Sequence, residues 1–451
     1  MMKQYDTAKS QCGDALLFFR MGDFYELFYD DAKIAANELG LTLTSRDKSE
    51  NPIPMAGFPH HQLDTYLGRL IKAGFRVAVC EQVEDPKAAK GLVKREIALV
   101  VSPGTIADQA LLEPTESTYL VAIAPTMPEK RSKSTTIESF GVSWAELSTG
   151  RFFATEVVAA QLADLLARLG AKEILVSESK VDSIPIENDL IMVTRRPAWN
   201  FSEKMALEVL LQQFKVGTLD GFGLDDFASS ATQAAGAILH YLKETQQASL
   251  EHFDGILPFR QSQYVQIDSA TWRSLEIHRT LRSGSREGSL FGVIDRSTTP
   301  MGSRRLSEWL ANPLANASAI IRRQAAIAEF VAQPKLRTGL QSQLKHISDL
   351  QRLLARVATS RTSPRDLSAV GKTLAALPGI KSQLAEITSE QLASLESELD
   401  PCPDLQNTLA AALVDPCPAQ AKDGGYIQDG YDSELDELRK LATGGKQWIA
   451  N

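Results

Sequence analysis

Cysteine is scarce in this chain: Cys12, Cys80, Cys402 and Cys417 are the only four in 451 residues. None stands in a Cys-x-x-Cys pair or beside a histidine at metal-ligand spacing. That removes a zinc ribbon, a redox dithiol and a disulfide framework, and free thiols in a reducing compartment are expected. Long apolar runs are missing too. Stretches such as Ile97 to Val101 and Tyr119 to Ala124 fall far short of the roughly 20 residues that a spanning helix needs. The opening Met1-Met2-Lys3-Gln4-Tyr5 carries no apolar stretch like that of a secretory signal. The expectation is a cytoplasmic protein with no membrane association. Nor is there an excess of positive charge. A net charge of -8 and a pI near 5.5 argue against coating nucleic acid through overall charge, while leaving room for a local basic path. No fixed-period repeat and no low-complexity tract occurs.

What is present is ordinary globular composition, 43% hydrophobic and 23% charged, in a length that suits about three domains. Residues 1–103 read as mixed α/β. An apolar strand from Ala15 to Arg20 leads into Gly22-Asp23-Phe24-Tyr25-Glu26-Leu27-Phe28 and then a helical pattern that closes at Gly40. Asp23 with Glu26 three residues on has capping-box spacing, and Phe24, Phe28 and Ala32 fall at i, i+4 and i+8. The pattern therefore predicts a helix starting at Asp23. A short strand near Leu41 to Thr44, a polar loop from Ser45 to Asn51 and Pro52-Ile53-Pro54-Met55-Ala56-Gly57-Phe58-Pro59 follow. The prolines and glycine of the last segment predict an irregular loop rather than a central strand. A helix from His61 to Ala73 stops at Gly74, and strands are expected at Arg76 to Glu81 and Ile97 to Val101. Between those strands Lys87, Lys90, Lys94 and Arg95 form the densest basic stretch of this region, either a solvated loop or a phosphate contact.

Residues 104–250 contain a break at Pro125 to Thr136. Then come two β patterns, Phe140 to Glu146 and Gly150 to Glu156, a helix with Leu162, Leu165, Leu166 and Leu169, and a strand at Glu173 to Val176. This order predicts an α/β layer on a mixed sheet. Residues 251–451 turn helical, with Thr299-Pro300 as N-cap and N1. Helices are expected over 320–330, 350–357, 364–377 and 380–399, then a loop from Asp400 to Gly425. A last helix from about Ser433 runs to Asn451 with no stop signal, so a chain cut within a longer one is expected.

Two chemistries deserve testing on the residues. Gly371-Lys372-Thr373 has the tail of a phosphate-binding loop, but the glycine needed five residues before Gly371 is replaced by Asp366, and the site falls in a helical pattern. A mixed α/β sheet can carry a carboxylate cluster for two-metal nuclease chemistry, yet Val142-Ser143-Trp144-Ala145-Glu146 offers no converging Asp and Glu set.

The segment Leu17-Phe18-Phe19-Arg20-Met21-Gly22-Asp23-Phe24-Tyr25-Glu26-Leu27-Phe28 resembles the mismatch-recognition motif of the MutS family of DNA mismatch repair proteins. The similarity extends in order through Pro52 to Gly57, Cys80-Glu81-Gln82, Ser102-Pro103-Gly104-Thr105-Ile106, Gly221-Phe222-Gly223 and Leu275-Glu276-Ile277. It continues through Thr299-Pro300-Met301-Gly302-Ser303-Arg304, Pro364-Arg365-Asp366-Leu367 and Asp423-Gly424-Gly425. The resemblance implies a mixed α/β mismatch-binding domain over 1–103, a ribonuclease H-like connector over 104–250, and the first part of an all-α core and lever domain over 251–451. It implies Phe24 and Glu26 as the mismatch-reading pair, Met21 and Met55 on the groove wall, Arg46 on the backbone or minor groove, and Gly57 at a close approach. Lys94 and Arg95 are the remaining DNA-contact candidates.

The implied partners are mismatched or looped double-stranded DNA, a MutL-type repair protein and a second copy of the chain, on the nucleoid. The resemblance places ATP and Mg2+ in a clamp-and-ATPase half that this chain does not carry, so no cofactor, metal site or catalytic residue is expected here. The rival expectations are a structural or regulatory fragment with little mismatch binding of its own, and, less favoured, the nuclease.

Overall fold

The computed structural model describes residues 1–45, 52–84, 91–126, 139–186 and 191–450. The chain divides into two units, Met1–Asp295 with Leu306–Pro313, and Arg296–Arg305 with Leu314–Asn451. Among the described residues no helix is long and apolar enough to cross a membrane.

The first unit begins with helix α1 (Met2–Cys12), strand β1 (Leu16–Met21), strand β2 (Phe24–Phe28) and helix α2 (Tyr29–Leu39). Strands β3 (Thr44–Ser45) and β4 (Pro54–Pro59), helix α3 (Leu63–Lys72), and strands β5 (Val77–Gln82) and β6 (Arg95–Val101) complete the first layer. Their sheet runs β3-β4-β2-β1-β5-β6, and every pair is antiparallel except β1 with β5. One core, with Leu16, Phe18, Tyr25, Leu27, Leu67 and Leu70, packs one face; a second, with Tyr5, Leu17, Phe19, Phe28 and Cys80, packs the other. Alternating residues of the same strands feed opposite cores, as the two-residue period of a strand requires.

Two sequence expectations fail here. Residues Phe24–Phe28 form a strand, not the first turn of a helix, and α2 begins only at Tyr29. The aromatic residues alternate between faces over this stretch, and β-pairing on both sides outweighs the capping-box spacing of Asp23 and Glu26. Pro52 to Pro59, expected as an irregular loop, contains β4, which lies between β3 and β2. Its prolines in the strand are the first and last residues, Pro54 and Pro59, where the missing N–H interrupts the ladder least.

The rest of this unit is built on a second sheet. Strands β7 (Leu120–Pro125), β8 (Ser139–Glu146) and β9 (Arg151–Val158) make an antiparallel meander. Helix α4 (Leu162–Leu169) follows, then β10 (Glu173–Ser177) and β11 (Met192–Arg196), both parallel to β7. Helices α5 (Glu203–Phe214) and α6 (Ser229–Gln246) cover one face, where Ala231, Ala234, Ala235 and Ile238 bring α6 close to the strands, and α4 covers the other. The order β11-β10-β7-β8-β9, with strand β12 (Leu257–Pro258) added beside β9, is the expected mixed, ribonuclease H-like layer. Short helices α7 (Ser269–Ser274) and α8 (Leu290–Ile294) follow. The expected break at Pro125 to Thr136 lies largely outside the described residues.

Helix α9 (Pro300–Ala311) starts where Thr299-Pro300 predicts, and the Gly302 amide donates to Thr299 Oγ1 at 3.1 Å. The second unit is helical: α10 (Ala317–Ala332), α11 (Pro334–Leu344), α12 (Leu350–Ala358), α13 (Pro364–Leu384), α14 (Glu390–Glu398), α15 (Pro403–Ala412) and α16 (Ser433–Ala450). The expected gap at 378–379 is absent, because α13 runs straight through Pro378. Burial of Leu374, Leu377 and Ile380 in one cluster with Leu340 and Leu353 holds the helix across it, against a proline cost of about 3 kcal/mol. The expected loop from Asp400 to Gly425 also holds α15, which starts on Pro403.

Candidate nucleic-acid interface

The closed end of the β1–β2 hairpin is a two-residue turn, Gly22-Asp23, flanked by the Met21–Phe24 pair. Gly22 has φ +60°, and a positive φ at the first central position alone is the pattern of a II′ hairpin turn. Asp23 is exposed and caps no helix; its carbonyl accepts instead from the His60 amide at 2.8 Å. Along β2 the burial alternates until the strand sinks into the core. Tyr25 and Leu27 are buried on one face, while on the other Phe28 is buried against Tyr5 at 4.9 Å, Glu26 is half-buried and Phe24 is 46% exposed. Phe24 is thus a large apolar ring held in water at the end of a strand whose other aromatics are core.

Glu26 stands between Phe19 of β1 and Gly57 of β4. A Cβ at residue 57 would lie 2.9 Å from the Tyr25 carbonyl oxygen and 3.4 Å from Glu26 Cγ, so glycine keeps the space that the Glu26 side chain occupies. Met55 pairs with Phe28 one step further along, and Met21 and Met55 both pack half-buried against the Tyr5–Phe19–Phe28 core. The sheet therefore brings Phe24, Glu26, Met21, Met55 and Gly57 together. Arg46, Lys87 and Lys90 lie outside the described residues. Lys94 is exposed and paired with Glu96 at 2.6 Å. Arg95 is the first residue of β6 rather than part of a loop, and it is hydrogen-bonded to the protein itself.

Behind the hairpin the Tyr25 hydroxyl donates to Glu81, and Arg20 lies over the Tyr25 ring at 5.5 Å. Burial, with the neighbouring Glu81 carboxylate, raises the Tyr25 pKa, so the phenol stays a donor. Burial likewise pushes the Cys80 thiol up to about 12, which makes it an inert core residue. Glu81 and Gln82 were missed as supports of the hairpin. Their only signal in sequence was the Cys80-Glu81-Gln82 run at the end of a strand.

The two competing chemistries find different surroundings. Gly371, Lys372 and Thr373 sit in the middle of α13: Lys372 pairs with Asp415 at 2.7 Å, and the buried Thr373 hydroxyl accepts from the Ser348 amide at 3.0 Å. These residues do not form a nucleotide cradle. On the second sheet, the buried Glu146 carboxylate accepts from Ser148 at 3.2 Å and Thr149 at 3.0 Å, and Glu173 is enclosed by hydroxyls. Among the described residues no group of three His, Cys, Asp or Glu gathers to hold a metal ion. A surface cavity of about 600 Å³ lined by Arg196, Trp199, His240 and Lys243 was also not anticipated from sequence.

A mixed α/β layer with an exposed aromatic on its hairpin, a ribonuclease H-like layer and a helical unit follow one another along the chain, the order of a multidomain protein with two α/β domains before a helical one. Three family models match in sequence, MutS domain I over residues 1–110, MutS domain II over 118–254 and MutS domain III over 270–445. The chain is 55% identical over 461 residues to the DNA mismatch repair protein MutS of Rhodopirellula baltica, covering 100% of this chain and 52% of that protein. The MutS proteins of Salinibacter ruber and Symbiobacterium thermophilum are 39% and 40% identical, each over 100% of this chain and 49% and 51% of their own length. The chain belongs to the MutS family, as its N-terminal half. It spans about half the length of the relatives it matches.

Proposed function

We propose that this chain is the DNA-reading half of an ATP-dependent mismatch sensor, and that Phe24 is the ring it inserts from the minor groove beside a mispaired or unpaired base. The observation that carries this reading is the 46% exposure of Phe24 at the closed end of a hairpin otherwise rooted in two cores. A mismatch differs from a paired step chiefly in weaker stacking and cheaper deformation, so it is read through shape. A flat apolar ring at the step replaces a lost stacking partner and lets the duplex kink. Stacking of a base on an aromatic is worth about 1–3 kcal/mol, enough for modest discrimination.

Glu26, on the same face two residues on, repels phosphate and so weakens binding wherever it gains no hydrogen bond from a base. That cost falls on paired DNA and sharpens the preference. Met21 and Met55 line the groove wall, Gly57 sits at a close backbone approach, Arg46 meets the backbone or minor groove, and Lys94 meets phosphate. ATP with Mg2+, a MutL-type repair partner and a second copy of the chain belong in this reading to the whole protein, acting on the nucleoid in the cytoplasm after the mismatch is read.

The test is fluorescence anisotropy with G·T, single-base-loop and paired duplexes. Phe24→Ala is expected to remove roughly 1–3 kcal/mol of mismatch binding while leaving paired-duplex affinity and thermal stability within about 0.5 kcal/mol, as for an exposed residue. An unchanged mismatch preference sinks the assignment of Phe24.

A further inference from the structure

Arg95 entered as a candidate phosphate contact, yet its donors are turned inward. From the first position of β6, where it pairs with Gln82 of β5, its side chain reaches past β5 to the end of β1. Nε donates to the Arg20 carbonyl at 2.6 Å, and Nη1 donates to the Val93 carbonyl at 2.8 Å and to Gln4 Oε1 at 3.2 Å. With the Gln82 amide assigned from its hydrogen-bonding neighbours, its oxygen faces the hairpin and accepts from Arg95 Nη2 at 3.3 Å and from the Gly22 amide at 3.2 Å. Four of the five guanidinium N–H groups are therefore used within the protein, and the group lies 5.3 Å from the Phe19 ring centre. The same residue is held at its other end as well, since the Gly22 carbonyl accepts from Arg20 Nε at 2.5 Å. The turn two residues before Phe24 thus has both its N–H and its C=O fixed by side chains.

We propose that Arg95 and Gln82 are positioning residues for Phe24: they brace the Gly22-Asp23 turn and set the height of the ring, and Arg95 does not act by contacting phosphate. The turn lies beyond the last paired residues, Met21 and Phe24, and the bonds at Gly22 come from side chains, so an exposed ring beside it discriminates only if the turn is held. The proposal rests on the reading of Phe24 given above.

The experiment compares the full wild-type chain with Arg95→Gln, Arg95→Lys and Gln82→Met. Hydrogen exchange over residues 22–28, measured without DNA, is expected to quicken roughly tenfold in all three, with α4 unchanged as the internal reference. Mismatch-over-paired affinity ratios are expected to fall in all three, with the slope of log K against log salt unaltered. Arg95→Lys keeps the charge but cannot make the forked set of bonds, so it does not rescue.

Unchanged exchange in the hairpin overturns the brace. So does a uniform loss of affinity for both duplexes in Arg95→Gln with a salt slope smaller by about one, Gln82→Met being silent and Arg95→Lys normal. That pattern makes Arg95 a phosphate contact. Should Arg95→Gln unfold the whole first layer, Gln82→Met decides, because it removes the Gly22 acceptor and no charge. Absence of any mismatch preference in the wild type sinks the functional reading, and the exchange measurement still judges the brace.

Discussion

Replacing Glu173 tests whether a buried carboxylate holds the junction between the two sheets of the first unit. Glu173 opens β10 with no exposed surface. One oxygen accepts from Thr194 Oγ1 at 2.7 Å and the Tyr241 hydroxyl at 2.9 Å. The other accepts from the Ser102 hydroxyl and from the Gly104 amide at 3.1 Å, both in the Ser102-Pro103-Gly104-Thr105 segment that leaves β6. The Tyr241 ring has Arg76 and Arg196 near it at 5.9 and 5.3 Å.

A buried hydrogen bond to a charged group is worth about 1.5–3 kcal/mol, and a donor left without its acceptor costs about 1–3 kcal/mol. Four donors sharing one carboxylate do not add. For Glu173→Ala we expect about 4 kcal/mol, at the upper end of single substitutions. Glu173→Gln keeps one oxygen. If that oxygen faces Gly104, the new NH2 meets the Thr194 and Tyr241 hydroxyls, which can rotate to accept; the reverse orientation sets NH2 against an N–H. The expected loss is about 1–2 kcal/mol. Glu173→Leu restores volume without an acceptor and should be about as costly as alanine. A chain of this size does not unfold in one step, so the readout is local hydrogen exchange over β10, β11 and residues 102–105. Glu173→Ala within about 1 kcal/mol of wild type, or Glu173→Leu matching Glu173→Gln, refutes the argument.

Glu26→Gln is expected to tighten paired-duplex binding by about 1 kcal/mol and to lower discrimination; unchanged affinity for paired DNA in anisotropy counts against repulsion by Glu26. In the second unit the buried Arg304 and Asp349 pair through contacts of 2.5 and 2.9 Å. Asp349→Ala should cost about 3–5 kcal/mol in local hydrogen exchange over α12, with Arg304→Met/Asp349→Leu recovering much of it; equal losses in both variants would show that charge pairing is not the cause. Burial lowers the folded-state pKa of His240, His252 and His278. The unfolded chain then binds more protons below its ordinary histidine pKa of about 6.5, so their contribution is full above that pH and is lost as pH falls through the window beneath it. The exchange-derived stability of the second sheet, corrected for the intrinsic pH dependence of exchange, should drop between pH 6.5 and 5.5, less steeply in His252→Gln, and a flat or rising value contradicts this.

Local patterns carried much of the fold. The Phe140–Glu146 and Gly150–Glu156 hairpin, the leucine face of α4, the strand at Glu173 and the Thr299-Pro300 start of α9 are each set by neighbours in sequence, and each stands where its pattern places it. What was hidden depends on distant partners. Pro54 and Pro59 read as breakers until β2 and β3 are seen beside β4. Pro378 reads as a helix end until the packing of Leu377 and Ile380 is seen. Helix α11 is weakly amphipathic, with Leu340 its one buried residue, and gave no pattern to find. Arg95 looks like surface charge because its partners Gln4, Arg20 and Gln82 come from three other elements.

The error at Asp23 bears most on function. In a helix, residues two apart point to different sides. Phe24 and Glu26 in the first turn of one would then diverge and could not address the same base step. In a strand they share a face about 6.6 Å apart along the chain, and the glycine opposite Glu26 in the register leaves room for its side chain. An aromatic to stack and a carboxylate to discriminate, acting together, require the period of two. The helical expectation and the reading-pair expectation drawn from the same seven residues were in conflict. The hairpin abolishes the first and leaves the proposed pair on one face.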